Sequence, residues 1–364
     1  MKQNLTSKRV VRSAATLLLA ASAMAAAACG ADAGNQPPAG EVPPETQTPA
    51  ADADTIRFAL PSEPLWQWLV DSGTLAEWEA EHGLRIEASH PFRPFTALVS
   101  GHADIILIDA LDVPVFSEGL GSDPVIIGKY ASDRSIAAIK RTSQATDFAG
   151  VVEGQIAMES QLGSTLLWSL IVEQAHSLDL SEESPDFDFI LATSGVGDTV
   201  ERGGADACIC LPDASVANLS SGMLRPLYDG KSASQIYAEL SGQPNDRLLG
   251  EVFLTEREWF RAHPNEIGAF LELWETAVGH WHAHYPELIA AYPELLSVQT
   301  QQDVDWLTHH ITGHNWITPS VYLTGGDARA YADAVKRLTE RGQLPADAIA
   351  PSVITNRPTP AGGE

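Results

Sequence analysis

Basic residues are scarce in this chain: 22 Lys and Arg stand against 48 Asp and Glu, a formal charge of −26. Such a surface excludes nucleic acid as a partner and excludes charge-driven docking onto anionic lipid. Cysteine is nearly absent too, with only Cys29, Cys208 and Cys210. The last two would share one face of an extended strand, near the outer limit of disulfide geometry, and are poorly placed to bridge. With no cysteine framework, the fold has to rest on its hydrophobic core. Catalytic motifs are missing as well. There is no His-Glu-x-x-His helix, no nucleophile with a base at motif spacing, and "SGVG" is not a phosphate loop. No repeat of solenoid period occurs.

The chain opens with Lys2, Lys8, Arg9 and Arg12 and no acid, followed by small and apolar residues from 14 to 28. That is the pattern of an export signal, too short and too alanine-rich for a stable membrane span. The run ends in "AAAACG", which resembles the lipobox of bacterial lipoproteins. The resemblance implies cleavage before Cys29, acylation there, and anchoring on the outer face of the cell membrane. Removal of the signal leaves 18 basic residues against the same 48 acids, a formal charge of −30. Residues 29–54 are rich in Gly, Pro, Ala, Thr and acids and read as a disordered tether behind the lipidated cysteine. Roughly 300 residues remain, enough for two lobes.

From residue 55 onward, strand and helix patterns alternate. "TIRFALP" reads as a strand. "LWQWLVDSGTLAEWEAEHG" has helical spacing and is expected to be one helix closed by Gly83. "LRIEASH", "ADIILIDA", "DPVIIGKYA", "SIAAIKR", "DFDFILATS" and "ADACICLP" read as further strands, and "STLLWSLIVEQAHSL" as an amphipathic helix. Beyond Tyr228 the pattern is expected to be mostly helical. Alternation of this kind predicts an α/β protein with mostly parallel sheets and flanking helices.

One short unit occurs twice. "ALVSGHADIILIDAL" (residues 97–111) and "TVERGGADACICLPDA" (residues 199–214) each carry a glycine, a spacer, Ala-Asp, an apolar run and a terminal acid. The glycine suits a left-handed helix cap, and the aspartate (Asp104 or Asp206) suits the amides of a turn. The second acid, Asp109 or Asp213, falls at a strand's carboxyl end, where ligands sit in open α/β sheets.

Four passages in order, "FTALVSGHADIILID", "MESQLGSTLLWSLI", "GDTVERGGADACICLPDASVANL" and "FLTEREWFRAHPNEIGAFLELWETAVGHWHAHYPE", carry a resemblance that spans residues 56–344. In them the chain resembles the solute-binding lipoproteins of ABC importers. The matching branch includes the sulfonate, taurine and nitrate binders and the binders of thiamine's pyrimidine precursor. The resemblance implies two α/β lobes hinged around a central cleft, a type II periplasmic binding protein architecture with a helical C-terminal segment packed on the first lobe. Lobe I would hold residues 55–131 and 231–355, lobe II residues 132–230, and residues 356–364 would be a disordered tail. It implies capture of a small polar molecule by hinge closure and delivery to a membrane permease. An enzyme or a ligand sensor on the same fold is the alternative.

Loops after the strands should line the cleft. They offer Ser62, Glu63 and Trp66 after the first strand, Phe92 and Arg93 after the second, and Asp109 and Ala110 after the third. The second lobe offers Ser160, Gln161, Gly163, Ser164 and Thr165, then Thr193 and Ser194, then Asp213. Trp66 or Phe92 would stack on a planar ligand. Arg93 would meet an acid, and the amides near Ser164 a polar or anionic group. Three carboxylates beside one arginine suit a cationic, hydrogen-bond-donating or zwitterionic ligand, with sulfonate, amino-acid-like and heterocyclic molecules as candidates. His280 and His284 share a helix face, but surface and core roles suit them better than zinc. No cofactor and no metal are expected.

Overall fold

The computed structural model describes residues 54–117, 122–181, 184–192, 195–242, 248–348 and 350–356. The expected signal and residues 29–53 of the expected tether lie outside them, and Asp54, expected as the tether's last residue, opens the first strand. The described residues form eleven strands: β1 Asp54–Ala59, β2 Leu84–Ser89, β3 Ile105–Asp109, β4 Pro124–Ala131, β5 Ile136–Lys140, β6 Gln155–Met158, β7 Asp188–Leu191, β8 Ala207–Cys210, β9 Leu224–Pro226, β10 Glu251–Glu256 and β11 Ser352–Val353. The helices are α1 Pro64–Asp71, α2 Thr74–His82, α3 Pro94–Val99, α4 Val113–Ser117, α5 Ser164–His176, α6 Val196–Glu201, α7 Val216–Ser220, α8 Ala233–Ser241, α9 Arg257–Ala262, α10 Pro264–Ala291, α11 Gln301–Thr312 and α12 Gly325–Glu340.

The strands form two sheets, ordered β11-β4-β10-β3-β1-β2 and β7-β6-β8-β5-β9. The chain passes to the second sheet between Ala131 and Ile136 and returns between Pro226 and Glu251. Each sheet is mixed, because β10 runs against both β3 and β4, and β5 against both β8 and β9. The cause is the crossing itself. A strand that leaves one sheet at its carboxyl edge and enters the other at the carboxyl edge has to run against its new neighbours.

Period-two alternation builds the core. Ile105 and Leu107 of β3 pack with the helices α1 and α10 on one face, and Ile106 and Ile108 pack on the other. The first face is aromatic: Phe58, Trp66, Tyr130, Phe253, Phe270 and Trp274 meet with ring centroids 5.0–6.4 Å apart. The second face continues without interruption into β5, β6, β8 and α5 of the other sheet. Cys208 and Cys210 project together from β8, as alternation requires, and remain free thiols with their sulfurs 3.2 Å apart.

Three expectations need correction or refinement. The first long helix is two helices, because Gly73 adopts φ 80° and starts α2 afresh. The segment beyond Tyr228 is mostly helical as expected, but "EVFLTE" within it forms β10 between β3 and β4. Tertiary pairing overrides local context there: Val252, Phe253 and Leu254 are all fully buried. The repeated aspartates do not serve their own turn. Asp104 accepts the Arg57 amide (2.8 Å) from the neighbouring β1, and Asp206 accepts the Gln155 amide (2.9 Å) at the start of β6. The repeat therefore ties each strand to its parallel neighbour.

The two crossings touch backbone to backbone. Gly250 donates to Ala131 O (3.0 Å), and its own carbonyl accepts the Ala110 amide (2.7 Å). A Cβ at Gly250 would fall 2.5 Å from the Ser132 carbonyl carbon and 2.6 Å from the Asp133 nitrogen. Gly250→Ala is expected to lower stability by about 1–3 kcal/mol in urea unfolding, since the obstructing atoms are backbone.

Candidate ligand cleft

The carboxyl ends of β1, β3 and β4 and the start of β10 share one edge of the first sheet, as the register pairs Glu251 with both Asp109 and Ala131. In the second sheet the carboxyl ends of β6 and β8 lie beside the start of β5, with Ile136 opposite Cys210. The four residues 132–135 join these two edges. Side chains that follow β3, β4 and β8 or precede β10 are therefore drawn toward that short crossing.

Arg134 sits on it. Its guanidinium bonds Asp213 (3.3 Å), which follows β8, and Glu251 (3.0 Å), which begins β10, so one side chain pairs with an acid from each sheet. The Trp316 ring lies 5.4 Å from it, a cation–π distance. Burial works against the charge, but Asp213, Glu251 and Glu63 outweigh it and hold the guanidinium protonated far above its ordinary range. Beside it, Tyr130 at the end of β4 donates its hydroxyl to Glu63. Burial, with Glu251 nearby, pushes the Glu63 carboxyl up to about 7.

A second set of acids surrounds the start of α5. Asp112 accepts the Gly163 amide at 2.6 Å, and the Ser164 hydroxyl donates to Asp133 at 3.2 Å. Asp109 caps its own turn by accepting the Leu111 amide (2.9 Å). Gly163 has φ 56°, and a Cβ there would stand 3.4 Å from the Asp109 carboxylate, so glycine permits the approach. Burial raises Asp112 to about 6 and raises Asp109 and Asp133 as well. A cavity of about 170 Å³ opens beside this helix start, lined by Ser135, Glu159, Ser160, Gly163, Ser164 and Leu211 among others.

No family model matches this chain, and no curated protein does. Solved structures do. The aliphatic sulphonate binding protein SsuA of Escherichia coli superposes with a TM-score of 0.66 at 16% identity, over 85% of this chain and 94% of that one. The alkanesulfonate-binding SsuA of Xanthomonas axonopodis pv. citri, bound to MOPS, gives 0.65 at 16% identity over 84% and 99%. A conserved Candida albicans gene product described as having the generic periplasmic binding protein fold gives 0.60 at 14% over 85% and 98%. The chain has the periplasmic binding protein fold.

Within that fold the residues expected from sequence separate into groups. Glu63 and Asp213 converge on Arg134 and its partners, and Asp109, Gly163 and Ser164 meet at the start of α5. Ser160 lies at the cavity, its hydroxyl accepting the Leu162 amide, and Gln161 is half-buried in the same loop. Thr165 also lines this cavity; it is buried and donates to the Ser160 carbonyl (2.8 Å). Thr193 and Ser194 lie outside the described residues. Ser62 is exposed.

Two expectations are overturned by packing. Trp66 stacks on Trp274 and is 7% exposed, so its ring belongs to the core and offers no face to a ligand. Ala110 is fully buried, with its carbonyl taken by the Tyr331 hydroxyl (2.8 Å). Phe92 is 94% exposed and Arg93 is exposed beyond β2, which is the outermost strand. Among the described residues, no salt bridge joins Arg93 to the converging acids. The arginine of the cleft is Arg134, which sequence reading passed over together with Asp112, Asp133, Glu159 and Glu251. The available signal was "YASDRSIAA", a polar run of four residues between two apolar strands.

The raised carboxyls have a consequence for stability. Between pH 4.5 and about 7 the folded chain keeps a proton on Glu63 that the unfolded chain releases. Stability from this group is therefore present below that window and lost as pH rises through it, by at most roughly 3 kcal/mol. Urea unfolding of the wild type and Glu63→Gln at pH 5 and pH 8 is expected to show a smaller fall for the variant.

Proposed function

We propose that this chain is the extracytoplasmic solute-binding component of an ABC importer. It captures a small polar organic molecule between the carboxyl edges of its two sheets and delivers it to a membrane permease. The observation that carries this reading is the meeting of both carboxyl edges at a crossing of four residues, where polar side chains from both sheets converge around Arg134. Only a closed arrangement lets one ligand touch both edges, so ligand binding and closure are coupled. Structural likeness to the sulfonate-binding proteins supports it. The lobe boundaries follow the same reading: residues 55–131 with 231–355 form one lobe, and 132–230 form the other.

The binder is held at the outer face of the cell membrane by lipid on Cys29, and residues 30–54 give it reach between solute and permease. Cys29→Ala is expected to move the protein from the detergent phase to the aqueous phase in Triton X-114 partitioning and to abolish palmitate labelling. Persistence of both in the variant refutes the anchor. For binding itself, native mass spectrometry of freshly purified protein is expected to reveal one co-purified small molecule. Small-angle scattering should show compaction when it is restored to stripped protein. A chain that carries no small molecule and keeps its dimensions is not a solute binder.

A further inference from the structure

Two features of this cleft are built to receive a negative charge: the Arg134 guanidinium and the backbone amides at the start of α5. Both are already filled by the chain itself. Arg134 is paired on one side by Asp213 and on the other by Glu251, and its face is covered by Trp316. At α5, the Gly163 amide is taken by Asp112 (2.6 Å), and the Thr165 and Leu166 amides by the Leu162 and Gly163 carbonyls (3.2 and 3.0 Å). Among the described residues, only the Ser164 amide is left at that helix start. The Ser164 hydroxyl is spent on Asp133. An anion entering the cleft would have to displace one of the chain's own carboxylates from a seat where covalent tethering keeps it at high local concentration.

The remaining polar groups are of the opposite kind. Glu63 has one hydroxyl partner, Tyr130, and no cation of its own. Glu159 stands at the cavity lining with no ion pair. Asp109 accepts one backbone amide and no cation. These carboxyls have uncommitted acceptor capacity, and among the described residues the cation that acts on Glu63 and Glu159 is Arg134, which is doubly committed. On the solute-binding reading above, we infer that the ligand is a cation: a molecule with an ammonium, guanidinium or quaternary ammonium group directed at Glu63, Asp109 and Glu159. Simple sulfonates and carboxylates are excluded, although two of the structurally similar proteins named above are sulfonate-binding proteins. The likeness concerns the backbone, and charge preference is set by which side chains occupy the seats.

Ligands of matched skeleton test this: propylamine, propylguanidine and propyltrimethylammonium against 1-propanesulfonate and butyrate, by isothermal titration on stripped wild-type protein at fixed ionic strength and pH 8, above the range in which Glu63 holds its proton. At least one cation is expected to bind tenfold or more tightly than either anion. Asp112→Ala, which frees the Gly163 amide, is expected to raise affinity for propanesulfonate severalfold, and Glu63→Gln to weaken the cation. An anion that binds wild type as well as the best cation overturns the charge assignment, as does binding of no cation at all. Solute binding as such is judged separately, by the co-purified molecule and the compaction. If that molecule is an anion, the charge assignment fails while the solute-binding reading stands.

Discussion

A guanidinium held between an acid of one sheet and an acid of the other is the interaction on which the cleft depends. Removing a charge from water is costly, and pairing repays the cost only when geometry is good on every side. Arg134 meets that condition with two carboxylates and an aromatic face. Because Asp213 follows β8 and Glu251 begins β10, the position of each sheet's edge is registered against the same side chain. The crossing thus serves as linker and as reference point for both halves.

Topology explains why the charges gather there. Each sheet receives one strand from the other, and that strand runs against its neighbours because it enters at the carboxyl edge. Strand ends that would otherwise face solvent face each other, and the loops following them carry the polar residues. The apolar core does the reverse and runs continuously from the first sheet into the second through Ile106, Leu254, Ile139 and Leu167. The halves share a hydrophobic floor beneath a polar seam.

Local chemistry made much of this legible from sequence. Apolar runs located most of the strands, though not β9, β10 or β11, the glycines at 83, 101 and 203 marked left-handed turns as expected, and Asp109 and Asp213 were recognised as strand-end acids. The losses share a cause. β10 looks like part of a helical region until β3 and β4 are there to pair with it. Trp66 reads equally well as a ring for a ligand or a ring for the core, and only the presence of Trp274 decides. Arg93, between prolines, advertised itself, whereas Arg134 sat in an unremarked polar gap whose importance comes from the crossing. Local pattern names the elements; long-range contact assigns their duties.

The place of β10 at the heart of the first sheet has a temporal side. β3 and β4 are near in sequence, yet they are not paired with each other, because β10 lies between them. During synthesis or export from the amino end, the first sheet therefore stays split until residues 251–256 have emerged. By then the whole second sheet has already appeared. The half that starts the chain is completed last, and such long-range closure is slow. Until that strand arrives, the facing edges of β3 and β4 are open to wrong partners, which makes the interval between them the chain's period of greatest risk of aggregation.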